Sequence, residues 1–311
     1  MDLLFIVLGL ILLIFGGNWL LKAAIGFSLR LEIPKIVIGM TVVSFATSAP
    51  ELVVSLKSAL DGHADIALGN VIGSNIANLG MVLAITIMLS SIPVNKSFYK
   101  TDWPVMMIAS LLLYGFIAFD GLLEQYEGII MFSMLIVFLI YLLRFQKTPA
   151  VDEISEYKEG LPLYKDVLFM TIGGVALWGG SELLIDGAVG MAKFYNVSER
   201  IIGVTVVSIG TSIPELAASV IAILKKEKAI SIGNLIGSNV FNILAVLGLT
   251  AIITPISVTD QGLITNDILW MLAVSFAIFP LVFAPVKMKL SWKEGLLLAI
   301  FYGAFMIKTF N

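Results

Sequence analysis

Residues 38–60, IGMTVVSFATSAPELVVSLKSAL, and residues 202–224, IGVTVVSIGTSIPELAASVIAIL, are two copies of one segment set 164 positions apart. The register runs on without a gap, because residues 66–86, IALGNVIGSNIANLGMVLAIT, meet residues 230–250, ISIGNLIGSNVFNILAVLGLT, at the same offset of 164. Upstream, Gly9, Gly16 and Ala24 meet Gly173, Gly180 and Ala188. Nearly half of the positions from Ile38 to Leu89 are identical to their mates. Shared apolar composition alone does not produce that, so the chain is an internal duplication.

What has been duplicated is a membrane segment. The 311 residues are 59% hydrophobic and 13% charged, with a mean hydropathy of +1.01, whereas a soluble domain carries about 25% charged residues. A cytosolic enzyme, a nucleic-acid binder and a secreted disulfide scaffold are therefore excluded together. The absence of cysteine rules out disulfides, thiolate metal sites and cysteine nucleophiles. A net charge of −3 is too small on so apolar a chain to imply a strongly charged partner. The first residues, MDLLFIVLGLILLIFGG, carry Asp2 in place of a basic leader and no small-residue cleavage site, which predicts a retained first helix.

At roughly 20 apolar residues per span, the length accommodates about ten spans. The apolar runs place them near 3–26, 35–59, 66–91, 103–119, 127–143, 166–191, 199–224, 230–254, 268–286 and 293–309. The one long polar stretch, Arg144 to Asp166 with Pro149 and Pro162, predicts a linker over 144–165 between halves at 1–143 and 166–311. Each half holds five helices, an odd number, so the second enters the membrane from the opposite side. The expected fold is an all-α polytopic membrane protein of ten transmembrane helices in two inverted five-helix repeats. Such repeats build secondary transporters, with substrate sites near the bilayer midplane at interrupted helices. Fifteen of the 19 basic residues fall on the face that carries the linker and four on the other. This bias predicts a cytoplasmic linker and both termini outside. The outer loops carry acids instead, including Asp61, Asp65, Glu199, Asp260 and Asp267; a cation-attracting mouth and ordinary solvated loop ends both fit them.

The repeated motifs carry the chemistry. Glu51 and Glu215 stand about halfway along otherwise apolar spans, where an ionisable residue is costly and marks a functional site by default. Pro50 and Pro214 each remove one helix hydrogen bond and free the carbonyl four residues back, at Ala46 and Gly210. With Thr47, Ser48, Thr211 and Ser212 they gather oxygens within one turn, the ligand type that hard cations such as Ca2+ take in sixes to eights. In the second motif Ser74 and Asn78, like Ser238 and Asn242, are four apart and share a helix face, with Asn70 and Asn234 a turn away. Gly69, Gly73, Gly233 and Gly237 permit close helix approach, so tight packing and ion coordination are compatible roles. Two ionised glutamates carry a charge that one Ca2+ or two Na+ would neutralise, while an empty pair would tend to take up protons. Mutually exclusive occupancy of that kind is the minimum for antiport, and the counting does not choose between Na+ and H+.

The paired ATSAPE/GTSIPE and GNVIGSN/GNLIGSN segments resemble the alpha-repeats of the Ca2+/cation antiporter family, closest to its prokaryotic Na+/Ca2+ exchanger branch. The resemblance covers essentially the whole chain. It implies electrogenic exchange of three Na+ for one Ca2+ in a prokaryotic plasma membrane, with those ions and the bilayer as the partners, no nucleic acid, no further cofactor and a single working copy of the chain. It also implies four adjacent ion sites. Glu51 and Glu215 would be shared central ligands, with the Thr47 and Thr211 carbonyls completing the Ca2+ site. Ser48, Ser212, Ser74, Ser238 and the backbone of Ser44 and Ser208 would line flanking Na+ sites, and Asn78 and Asn242 would sit beside the middle one. Asn242 replaces an acid found in some members, which argues against K+ dependence. Ala46, where the repeat-mate has Gly210, predicts a slightly stiffer first kink. The first and sixth helices would slide as a pair on glycines such as Gly16, Gly17, Gly173, Gly174 and Gly179.

H+/Ca2+ exchange, K+-dependent Na+/Ca2+ exchange and a cation channel are the alternatives. An intramembrane serine hydrolase would need a base beside Ser48 or Ser212, and no His or Lys is placed for that. His63, the sole histidine, falls in the loop after the second helix.

Overall fold

The computed structural model describes residues 2–31, 33–145, 162–194, 199–284 and 286–310. The linker expected over 144–165 therefore lies for the most part outside the described residues.

Helix α1 runs Asp2–Leu31, and α2 is broken into Lys35–Thr47 and Ala49–Leu60 with a bend of 43°. Helices α3, Ala64–Leu89, α4, Phe98–Asp120, and α5, Gln125–Phe145, complete the first half. The second half repeats the pattern. Helix α6 is Leu163–Phe194, and α7 occupies 199–211 and then Ile213–Leu224. Helices α8, Lys228–Ile253, α9, Leu263–Phe283, and α10, Trp292–Phe310, follow. By length and composition α3, α4, α5, α8 and α9 are each able to cross a membrane, and the bent α2 makes a sixth.

Hydropathy alone does not separate these helices, but burial does. In the most apolar windows of α3 and α8, 83% of residues are buried, against 28% for α5. Helices α3 and α8 form the centre, and α4, α5 and α10 turn residues such as Phe119, Val137 and Ile300 outward. Each broken helix packs on the central helix of the other half, α2 on α8 and α7 on α3. Helices α1 and α6 lie along one another, so close that a Cβ on Gly16 would stand 2.9 Å from the Gly173 carbonyl oxygen. Gly174 and Gly179 have room for a side chain, so the glycine face expected for this pair narrows to fewer positions.

Two short strand pairs repeat the exchange between halves. Strand β1, Ile92–Pro93, pairs antiparallel with β4, Lys289–Leu290, and β2, Leu122–Leu123, pairs with β3, Ile256–Ser257. Ile92 and Ile256 are 164 residues apart, so mates in the duplication each pair with a strand of the opposite half.

The helix starts at α4 and α9 differ from expectation. Both begin five residues earlier, in the π-helical turns Phe98–Asp102 and Leu263–Asp267. The acids that mark a span end by hydropathy are here turned inward. Asp267 is fully buried and takes a two-pronged ion pair from Arg200, Nε at 2.7 Å and Nη2 at 3.0 Å. It is therefore no solvated loop acid, because the paired guanidinium offsets its desolvation. Asp65 likewise has a structural task, accepting the backbone N–H groups of Thr259 at 2.9 Å and Asp260 at 3.0 Å.

Candidate cation site

The site begins with two breaks. At Ser48 the backbone leaves the helix, with φ −84° and ψ 4°, and at Ser212 it does the same with φ −82° and ψ −1°. The dihedral angles of the two serines match to within about 5°. Each proline stands in the first turn of the following arm, where its missing N–H costs least, and Glu51 and Glu215 follow directly. The N-terminal end of an arm favours a carboxylate, and the C-terminal carbonyls of the arm before it favour a cation. One broken helix thus supplies both halves of an ion site. A π-helical turn adjoins the site in all four core helices, at Gly39–Val43, Asn78–Val82, Ile202–Val207 and Asn242–Leu247, a distortion that concentrates at functional sites.

Both carboxylates are completely buried and close enough for their charges to repel. Neither oxygen of Glu51 has a hydrogen-bond partner, and the Thr211 hydroxyl is its neighbour from the other half. Oε1 of Glu215 accepts the Ser48 hydroxyl at 3.4 Å while its Oε2 has no partner, with Thr47 and Ser238 nearby. The three ion pairs found among the described residues, Arg30–Asp166, Lys35–Glu227 and Arg200–Asp267, lie elsewhere. Two buried carboxylates without a basic partner are costly unless a cation joins them or they take up protons.

Two matching polar networks flank the carboxylates. In one, the Asn234 Oδ1 accepts the Thr47 hydroxyl at 3.1 Å and the Ser238 hydroxyl at 3.5 Å, and its Nδ2 donates to Ser219 at 3.2 Å. In the other, the Asn70 Oδ1 accepts Thr211 at 3.0 Å and Ser74 at 3.5 Å, and its Nδ2 donates to Ser55 at 3.0 Å. The Ser44 hydroxyl donates to the Asn234 carbonyl at 3.0 Å and Ser74 to the Ser208 carbonyl at 3.4 Å, tying α2 to α8 and α3 to α7. Gly73 and Gly237 make this approach feasible. A Cβ on Gly73 would stand 2.7 Å from the Ser208 side chain, and one on Gly237 2.6 Å from the Met40 α carbon.

All twelve residues singled out from the sequence are buried. The structure joins Thr47, Ser238, Ser48 and Glu215 on one side, and Thr211, Ser74 and Ser208 on the other. Ser212 Oγ, both amide atoms of Asn78 and Oδ1 of Asn242 have no partner. The sequence reading omitted Ser55 and Ser219, which orient Asn70 and Asn234. Their signal was identity at the offset of 164, one turn beyond each glutamate.

The family model for sodium/calcium exchanger protein matches residues 1–144 and 165–310. Inner membrane protein YrbG of Escherichia coli K12 is 33% identical over 280 residues, covering 87% of this chain and 85% of that one. Sodium/calcium exchanger MaX1 of Methanosarcina acetivorans is 28% identical over 99% of this chain and 98% of its own. Among solved structures, the sodium-calcium exchanger NCX_Mj soaked with Na+ and Sr2+ matches with a TM-score of 0.81 at 26% identity, covering 98% of this chain and 97% of that one.

Proposed function

Because this chain belongs to the sodium/calcium exchanger family, we propose that it is a secondary antiporter that exchanges Na+ for Ca2+ across a prokaryotic inner membrane by alternating access. The observation that carries this is the pair of fully buried, unpaired carboxylates, Glu51 and Glu215, at matching helix breaks. One Ca2+ neutralises the pair, and so do two Na+. A third Na+ in the flanking hydroxyl sites makes the exchange electrogenic at three for one. In this reading the central cation is held by Glu51, Glu215 and the backbone carbonyls of Thr47 and Thr211. Ser48, Ser212, Ser74, Ser238 and the carbonyls of Ser44 and Ser208 serve Na+, with Asn78 and Asn242 beside the middle. Occupancy by one ion type excludes the other, and the α1–α6 pair exposes the site to one side at a time.

Ca2+ uptake into proteoliposomes tests the reading. Na+-loaded vesicles are expected to accumulate Ca2+, K+-loaded ones to do so at background rate, and an inside-negative potential to slow the uptake, because each cycle carries one net positive charge outward. Uptake driven by a proton gradient without Na+ would replace this reading with H+/Ca2+ exchange. Ca2+ flux indifferent to the ion on the far side would indicate a channel.

The proposed architecture is ten spans in two inverted halves, 1–143 and 166–311, with the 144–165 linker in the cytoplasm and both termini outside. It is supported by the exchanged strand pairs and by the bias of basic residues. The chain has no cysteine, so single-cysteine labelling is clean. Asp61→Cys is expected to react with an impermeant maleimide from outside intact cells, and Ser155→Cys only after the membrane is opened. The reverse pattern would invert the topology.

A further inference from the structure

Asn75 and Asn78 on α3, and their mates Asn239 and Asn242 on α8, are buried where the two central helices meet, and their amides are arranged differently in the two halves. Nδ2 of Asn75 donates to the backbone carbonyl of Asn239 at 3.2 Å. A carbonyl only accepts, so the end of the Asn75 amide that faces it has to be the nitrogen. The Asn75 Oδ1 is thereby turned the other way, where it accepts from Nδ2 of Asn242 at 3.2 Å. An amide oxygen also only accepts, so Asn242 has to offer its NH2 group there. Its Oδ1 is left buried without a partner. The first half lacks this relay: Asn239 donates to the Leu235 carbonyl of its own helix at 2.9 Å, and Asn78 has neither amide atom bonded.

Asn242 follows Ser238 by one helical turn, and the π-helical turn it opens packs on Ala49–Leu60, the arm that carries Glu51. Left free beside two carboxylates, its amide would turn the NH2 group toward them and hold the site against a cation. We propose that Asn75 is a positioning residue that prevents this, fixing the Asn242 amide so that its oxygen faces the carboxylates and strengthens Ca2+ binding from the second half. The inference rests on the reading of the site given above and adds a residue and an asymmetry to it.

Radioactive Ca2+ binding to the purified full chain in detergent tests it, with Asn75→Ala and the bulkier apolar Asn75→Leu. Loss of an oriented acceptor is expected to weaken Ca2+ binding about tenfold in either variant. The same substitutions made together with Asn242→Asp are expected to cost less than about twofold, since a carboxylate presents oxygen at both ends and cannot be turned the wrong way. A residue that merely packs α3 against α8 would exact the same loss in both backgrounds, and that result overturns the proposal. Wild-type affinity in Asn75→Ala overturns it too, as does failure of both variants to run as a single species on gel filtration. Glu215→Gln separates the two levels. If it abolishes Ca2+ binding while Asn75→Ala does not weaken it, only the positioning role fails. If it leaves binding intact, the site reading fails and this inference with it.

Discussion

Glu51→Gln and Glu215→Gln are each expected to reduce Na+-driven Ca2+ uptake at least about a hundredfold while the protein stays folded. Two unit charges 4 Å apart at an effective dielectric constant near 20 attract by about 4 kcal/mol, and Ca2+ doubles the charge on one side. Even heavily discounted, losing one carboxylate removes more than the ~2.7 kcal/mol that a hundredfold represents. The fold is expected to survive because glutamine keeps the shape and the hydrogen-bonding capacity of the side chain. It also relieves the repulsion between two buried carboxylates that have no basic partner. A thermal melt distinguishes loss of site from loss of fold. The wild-type chain is expected to gain stability from saturating Ca2+, since an ion that binds only the folded state stabilises it. Each glutamine variant is expected to melt no lower than the ion-free wild type and to gain nothing from Ca2+. Exchange at the wild-type rate in either variant would remove that glutamate from the central site.

Much of this site was legible in the sequence because the duplication acts as its own comparison. Glu51 and Glu215 stand out because the same costly residue recurs 164 positions later behind the same proline. The partners were harder to see. Hydrogen bonds such as Thr47 to Asn234 and Thr211 to Asn70 join residues from opposite halves, and nothing local in either segment names the residue it will meet. Ser55 and Ser219 were visible as an identical pair, yet a serine in an apolar helix most often bonds its own backbone, so identity alone gave them no task. The asymmetry between Asn78 and Asn242 could not be read at all, since the two positions carry the same residue and differ only in what faces them. The edges of α4 and α9 were misplaced for a different reason. Hydropathy treats Asp102 and Asp267 as exits to water, whereas burial with a partner keeps Asp267 inside its helix.

Gly73→Ala and Gly237→Ala are the second pair of changes with a large expected effect, this time through distance instead of charge. A methyl on Gly73 would press on the Ser208 side chain and the Val204 carbonyl, and one on Gly237 on Ser44 and the Met40 backbone. Most of these neighbours are backbone or short side chains held in hydrogen bonds, so relief requires the helices to move apart. Overpacking of this kind costs about 1–3 kcal/mol, which for a chain of this size lowers the melting temperature by a few degrees, on the order of 1–2 °C per kcal/mol. The larger effect falls on transport. The Ser74–Ser208 and Ser44–Asn234 bonds are already 3.4 and 3.0 Å long, and separating α3 from α7 or α8 from α2 breaks them. Ca2+ holds its oxygens at about 2.3–2.6 Å, so a cage opened by a few tenths of an ångström no longer closes on it. Ca2+ uptake is expected to fall at least about tenfold in either variant, which at ~1.4 kcal/mol per tenfold is within reach of the lost contacts. Gly115→Ala and Gly303→Ala provide the contrast, since nothing lies within 4 Å of a Cβ at either position. Both are expected to transport like the wild type and to melt no lower, since alanine is the better helix former. Equal losses at all four glycines could not come from helix propensity, which favours alanine, and would leave the close crossing no special part in holding the oxygens together.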